Sequence, residues 1–240
     1  MSPAVSVQKL YGWLLTRLPP SCSSTNRDES NSIYARMDNP TRLLLEKAIF
    51  QLECSSLSSH SHDASTSLAF SSGMQAVTSI LLAHSTSGQE GTLYVLIPTD
   101  VYHGVRSLLS DVFSRHGVVV RELNMVVDAA PNENETSTGA LTIVDAITEI
   151  ATTAIERRSR RSGDETSSKN SENTINRSSV IVWMETPSNP KCQVVDIESI
   201  CEAIRSEEDQ WRGILDVTTV VDGTMASPIL TRPLEVKFII

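Results

Sequence analysis

The sequence predicts an α/β protein: a mostly parallel sheet with helices on both faces. Two observations carry that expectation. Leu93-Tyr94-Val95-Leu96-Ile97 and Val180-Ile181-Val182-Trp183-Met184 are apolar throughout rather than alternating, as strands buried on both faces are, and Val217 to Val221 reads as a further strand. Between them lie stretches with apolar residues at helical spacing, and strands separated by helices imply right-handed crossovers between parallel strands. A chain of 240 residues can bury one sizeable core.

Taken in order, residues 1–30 read as an N-terminal arm. Residues 1–27 contain no Asp or Glu, and Val7, Leu10, Leu14, Leu15 and Leu18 share one helical face. That pattern fits a helix packed on its own protein or an organelle transit segment. Met74 to Ala83 reads as a helix, and Leu93 to Ile97 as a strand ended by Pro98. Tyr102 to Arg115 carries the stripe Val105, Leu108, Leu109, Val112 and Phe113 of a second helix. Gly117 breaks it before Val118-Val119-Val120 opens the next strand. Leu141 to Ile155 is again helical in spacing, Val180 to Met184 a strand, Ile197 to Arg205 a helix, and Val217 to Val221 a strand. Phe238-Ile239-Ile240 reads as the start of one more. Ser55–Ser67, Ala130–Gly139 and Arg157–Ser178 are rich in Ser, Thr, Asn and charge. They bury too little apolar surface to offset the entropy of ordering and read as surface insertions at crossovers.

The formal charge of −9 and pI near 5.0 argue against nucleic-acid or anionic-membrane binding, which need a basic surface. The dense basic run Arg157-Arg158-Ser159-Arg160-Arg161 reads as a solvated loop. Cys22, Cys54, Cys192 and Cys201 form no C-x-x-C pair and read as reduced thiols, Cys201 as a small buried hydrophobe on a helix. No apolar run reaches the roughly 18 residues of a membrane span. The expected protein is soluble and cytoplasmic, or organellar if the first residues are a transit segment. His60, His62 and Asp63 lie in a serine-rich stretch that makes a poor metal cage, so no metal is expected.

In parallel sheets, ligands bind beyond the carboxyl ends of the strands. Four segments offer suitable groups there. Phe70-Ser71-Ser72-Gly73-Met74 leads into a helix whose first N–H groups form a natural phosphate cradle, although Ser-Gly at such a place is also an ordinary cap. In Asp100-Val101-Tyr102 the ring can lie over a planar ligand or simply pack. Glu185-Thr186-Pro187-Ser188-Asn189-Pro190 is an extended loop, stiffened by its prolines, that can present Asn189. Asp222 can cap the turn through Gly223-Thr224 or pair with a cationic ligand group.

Together with Tyr34-Ala35-Arg36-Met37-Asp38-Asn39-Pro40-Thr41-Arg42 and Ser227-Pro228, these segments resemble, in order, the Cys/Met-metabolism family of pyridoxal-phosphate enzymes: cystathionine γ-synthase, γ-lyase and β-lyase. The resemblance covers residues 31–240, with the polar insertions inside it. It implies the large domain of a fold-type I, aspartate aminotransferase-like transferase. It also implies pyridoxal 5'-phosphate as cofactor, amino-acid substrates, and a homodimer or homotetramer. Carried over by position, Ser72, Gly73 and Met74 would cradle the phosphate, Tyr102 would stack on the pyridine, and Asp222 would hold its ring nitrogen. Thr224 would support the cofactor beside Asp222, and Asn189 would lie near the ring hydroxyl. Tyr34 and Arg36 would reach the cofactor phosphate of a neighbouring subunit, a task suited to the guanidinium fork.

The departures are equally specific. The family's Schiff-base lysine follows a Ser-x-Thr-Lys pattern roughly two dozen residues beyond the ring-nitrogen aspartate. None of Lys9, Lys47, Lys169, Lys191 and Lys237 stands there. The resemblance therefore implies an incomplete large domain, no Schiff-base lysine, and no C-terminal small domain. Glycine at 223, where many lyases carry asparagine, favours the γ-synthase reaction, γ-replacement on an activated homoserine with cysteine. A γ- or β-lyase fragment and a non-catalytic cofactor-binding pseudo-subunit are the alternatives.

Overall fold

A computed structural model describes residues 7–10, 13–17, 39–53, 65–85, 91–126, 138–162 and 177–235. The elements run β1 (Val7–Leu10), β2 (Trp13–Arg17), α1 (Pro40–Glu53), β3 (Ser65–Ala69), α2 (Gly73–Ser85), β4 (Leu93–Pro98) and α3 (His103–Asp111). They continue with β5 (Val119–Leu123), α4 (Thr138–Ser162), β6 (Ser178–Glu185), α5 (Ile197–Trp211) and β7 (Leu215–Asp222), with short 3₁₀ turns at Phe113–His116 and Pro233–Glu235. The strands form one seven-stranded sheet in the order β3-β2-β1-β7-β6-β4-β5. The β1–β7, β7–β6, β6–β4 and β4–β5 pairs are parallel, and β2 runs antiparallel to both its neighbours.

The apolar runs form the strands for the reason the sequence suggested. All of β4 is buried, as are the last six residues of β6. Alternate residues feed two cores. Tyr94, Leu96, Val180, Val182 and Val221 meet α4 and α5 on one face. Val95, Ile97, Ile181, Trp183 and Val220 meet α2 and α3 on the other. Helices thus cover both faces, and Cys201 is a buried hydrophobe of α5 as expected.

Some boundaries differ from expectation. The arm over 1–30 is not helical where it is described: residues 7–10 and 13–17 are strands. The spacing that suits a helix there is overridden by pairing with distant strands, which local pattern does not encode. The helix expected over Tyr102 to Arg115 leaves α geometry after Asp111, tightens into a 3₁₀ turn and ends at Gly117 in a left-handed conformation. Two expected insertions are shorter than drawn, because β3 begins at Ser65 and α4 runs on to Ser162. The basic run therefore extends a helix, and the Arg157 guanidinium donates to the Tyr94 hydroxyl at 3.2 Å. The second insertion ends just short of its expected bound, because α4 begins at Thr138. The strand expected at Phe238 to Ile240, together with Cys22, Cys54, His60, His62 and Asp63, lies outside the described residues. No helix among the described residues is long and apolar enough to cross a membrane.

The topology itself marks a cleft. The chain after β4 enters α3 on one face, and the chain after β6 enters α5 on the other. Strands β4 and β6 are neighbours, so their carboxyl ends form the switch point where α/β sheets bind ligands.

Candidate cofactor site

The end of β7 sets the electrostatics. Asp222 is buried, and its Oδ1 accepts from the Thr224 amide at 3.0 Å and the Thr224 hydroxyl at 2.6 Å. The carboxylate therefore caps the following turn, which the sequence left open, and Thr224 supports it directly. Its side-chain hydrogen bonds among the described residues all fall on Oδ1. Burial pushes its pKa up despite both Thr224 bonds. A carboxylate withdrawn from water in this way gains most from a cationic partner.

Glu185 lies level with Asp222 in the β6–β7 register. It is 4% exposed, and its Oε2 accepts from the Tyr102 amide at 2.7 Å, across the cleft between the ends of β6 and β4. The Asn189 amide donates to the same carboxylate. Burial outweighs these bonds, and with like charge from Asp222 and Asp100 it raises Glu185 to about 7. Buried Asp100 completes the group, accepting from the Ser188 hydroxyl and, at 3.3 Å, from the Lys191 amide. Three acids thus tie the β4 loop, the β6 loop and β7 together.

The loop after β6 has two cis peptides and is tied by hydrogen bonds of its own. Thr186–Pro187 and Asn189–Pro190 are cis, the Thr186 hydroxyl accepts from the Val195 amide at 3.1 Å, and the Ser188 hydroxyl accepts from the Gln193 amide at 3.0 Å. Asn189 is half-buried within it. Asp196 then caps α5 by accepting from the Ser199 amide at 3.0 Å.

At the start of α2, Ser72 accepts from the Gln75 amide at 3.2 Å, while the Gln75 side chain accepts from the Ser71 amide at 3.1 Å. This is close to a capping box, so the capping role is real. The amides of Gly73 and Met74 precede the first intrahelical donor, the Ala76 amide, and keep an anion-binding character. Tyr102, 44% exposed, lies beside this helix start. A Cβ built on Gly104 would come within 2.5 Å of Tyr102 Cε1 and 3.1 Å of Met74 Sδ. Gly104, to which the sequence reading gave no role, leaves the room that lets the tyrosine ring and Met74 meet. A glycine just after an exposed aromatic at a helix start is the signal that would have found it.

Ser72, Gly73, Met74, Tyr102, Asn189, Asp222 and Thr224 therefore all fall along the carboxyl edge of the sheet or in the loops leaving it. Tyr34 and Arg36 lie outside the described residues. Among the described residues no cluster of His, Cys, Asp and Glu is placed to hold a metal ion.

A helix start, an exposed aromatic face beside it and a buried carboxylate share the carboxyl edge of one α/β sheet, the edge at which such sheets bind ligands. The chain belongs to the family of Cys/Met-metabolism PLP-dependent enzymes, whose model it matches over residues 19–156 and 151–238. It is 30% identical over 203 residues to cystathionine γ-synthase of Mycobacterium tuberculosis, covering 84% of this chain and 36% of that protein. It is 28% identical over 223 residues to cystathionine γ-lyase of Saccharomyces cerevisiae, covering 90% of this chain and 42% of that one. It is also 28% identical over 202 residues to chloroplastic cystathionine β-lyase of Arabidopsis thaliana, with 84% and 30% covered. The chain thus spans well under half the length of these relatives. The crystal structure of cystathione gamma lyase (CalE6) from Micromonospora echinospora superposes with a TM-score of 0.52 at 26% identity, covering 88% of this chain and 40% of that one.

Pyridoxal phosphate is the cofactor of this family, and the residues present fit it. The raised, one-sidedly bonded Asp222 carboxylate suits a protonated ring nitrogen, and the space that Gly104 keeps open seats an aromatic for stacking.

Proposed function

We propose that this chain forms the cofactor platform of a transsulfuration enzyme of the cystathionine γ-synthase type, acting on an activated homoserine with cysteine. The observation that carries the cofactor half is buried Asp222, bonded by Thr224 on one oxygen. When bound, pyridoxal phosphate supplies an electron sink for carbanions formed beside the substrate amine. Asp222 would keep the ring nitrogen protonated, Tyr102 would lie on the ring face, and Ser72, Gly73 and Met74 would receive the phosphate. Asn189 would lie near the ring hydroxyl. By the family resemblance, Tyr34 and Arg36 would serve the cofactor phosphate of a neighbouring subunit, which makes the working form a homodimer or homotetramer. The synthase half rests on Gly223 in Asp222-Gly223-Thr224 and on the likeness to the mycobacterial synthase.

The lyase reading has support of its own in the yeast and plant relatives. Assaying the intact protein that carries this chain, with pyridoxal phosphate and an O-acylated homoserine plus cysteine, against cystathionine alone, separates the two. Cystathionine formed from the first pair is the expected result. Keto acid released from cystathionine alone would replace the synthase reading with a lyase. Saturable cofactor binding with no turnover of either substrate would identify a non-catalytic subunit.

A further inference from the structure

Glu185 has no part in the cofactor contacts above, yet it joins three of the segments that make them. It is level with Asp222, and level residues of paired strands point to the same face of a sheet. The next residue, Thr186, donates its amide to the Asp222 carbonyl at 3.0 Å. Glu185 itself, 4% exposed, reaches the loop after β4, where its Oε2 accepts from the Tyr102 amide at 2.7 Å. The Asn189 amide, in the loop after β6, donates to the same carboxylate. Two hydrogen bonds and one residue of chain thus lead from Asp222 to Tyr102.

Tyr102 needs that support. It is the residue from which α3 starts, and no side chain caps this helix start. Its carbonyl accepts from the Val105 and Arg106 amides at 3.0 and 3.2 Å, so the helix holds one side of the residue. Glu185 holds the other side, the N–H. The ring is 44% exposed, too open for packing to set its place unaided. A carboxylate suits the task because it offers two acceptor oxygens and no donor to amides arriving from two loops. Stability does not explain it. The acids Asp222 and Asp100 act on Glu185 with like charge, so burying it there works against folding.

We propose that Glu185 is a positioning residue of the cofactor site: its carboxylate holds the Tyr102 backbone so that the ring stands at a set place relative to Asp222. The inference rests on the cofactor reading above and deepens it, since Glu185 acts through Tyr102 rather than on the ligand.

The test is equilibrium dialysis of pyridoxamine phosphate against the intact protein that carries this chain, freed of cofactor. This probe keeps the ring and phosphate but has no aldehyde to react with surface lysines. Tyr102→Ala and Glu185→Leu should each weaken binding about tenfold or more. The double variant should bind within about threefold of Tyr102→Ala alone, because without the ring Glu185 has nothing to position. Glu185→Gln, which keeps an oxygen for the Tyr102 amide, should stay within about threefold of wild type. Should Glu185→Leu not fold, Glu185→Asp, still charged but one methylene shorter, should show the same loss and the same lack of additivity. Losses that multiply in the double variant overturn the assignment, as does a Gln variant as weak as the Leu or Asp variant. Unaltered binding by the Tyr102 variant, or by the Leu or Asp variant, overturns it too. In all these cases saturable binding by wild type leaves the cofactor reading standing. No saturable binding by wild type overturns both.

Discussion

Glu185 and Asp222 sit side by side at the ends of β6 and β7, and burial resists the ionisation of both. For Glu185 the consequence for stability has a definite sign. Its folded-state value of about 7 lies above the ordinary 4.5, so the folded chain binds more protons than the unfolded one between those values. Stability is therefore greatest below that window and falls as pH rises through it. Glu185→Gln keeps an acceptor for the Tyr102 amide and removes the titration. Urea unfolding at pH values either side of the window should show the pH-dependent loss shrinking by on the order of 2 kcal/mol in the variant. Asp222→Asn makes a different point. The amide oxygen still accepts from Thr224, but no charge remains for a ring nitrogen. Thermal stability should hold, while fluorescence titration should show pyridoxal phosphate binding weakened about tenfold to a hundredfold, the worth of one charge-assisted hydrogen bond.

Among the elements, α3 has the most exacting start. Gly104 is its second residue, and an added Cβ would meet the Tyr102 ring and the Met74 sulfur. Both are ends of movable side chains, and alanine is the better helix former by about 1 kcal/mol. Gly104→Ala should therefore leave the melting temperature unchanged or slightly raised, yet weaken pyridoxal phosphate binding severalfold by displacing the ring. A fall in melting temperature with unchanged affinity would show that the glycine serves packing alone. Elements whose pattern reflects their own burial were legible in the sequence: β4 and the middle of β6 as unbroken apolar runs, β7 from its valines, α5 with buried Ile197, Ile200, Cys201 and Ile204. Helix α1 was not, since of Leu43, Leu44 and Leu45 only Leu43 is buried, leaving no clean stripe to read. β1 and β2 were misread because their partners are β7 and β3, many residues away. Asp222, Tyr102 and the Ser72 helix start were legible because strand ends and helix starts carry local signals. Gly104 and the Glu185–Tyr102 bond were not, being contacts between loops brought together only by the β4–β6 crossing.

At the scale of the whole molecule, the sheet divides the interior into two cores that share strands but not helices. Leu109 of α3 lies in one and Ile147 of α4 in the other, each almost wholly buried. Replacing either by alanine should cost about 2–5 kcal/mol. Because the sites share no partners, the double variant should lose the sum to within about 0.5 kcal/mol in urea melts. A clear departure from additivity would mean that the sheet transmits packing changes from one face to the other.

The short β1–β2 pair has a bearing on how the protein behaves outside its own fold. It fills the two places between β7 and β3, so seven strands make a single sheet. Removing residues 1–17 would leave the inner side of β7 and the inner side of β3 as open rims, each a row of unsatisfied amides and carbonyls. Such rims recruit strands from other copies, so a shortened preparation should cloud and sediment in proportion to concentration. A free peptide spanning β1 and β2, added in excess, should keep it clear.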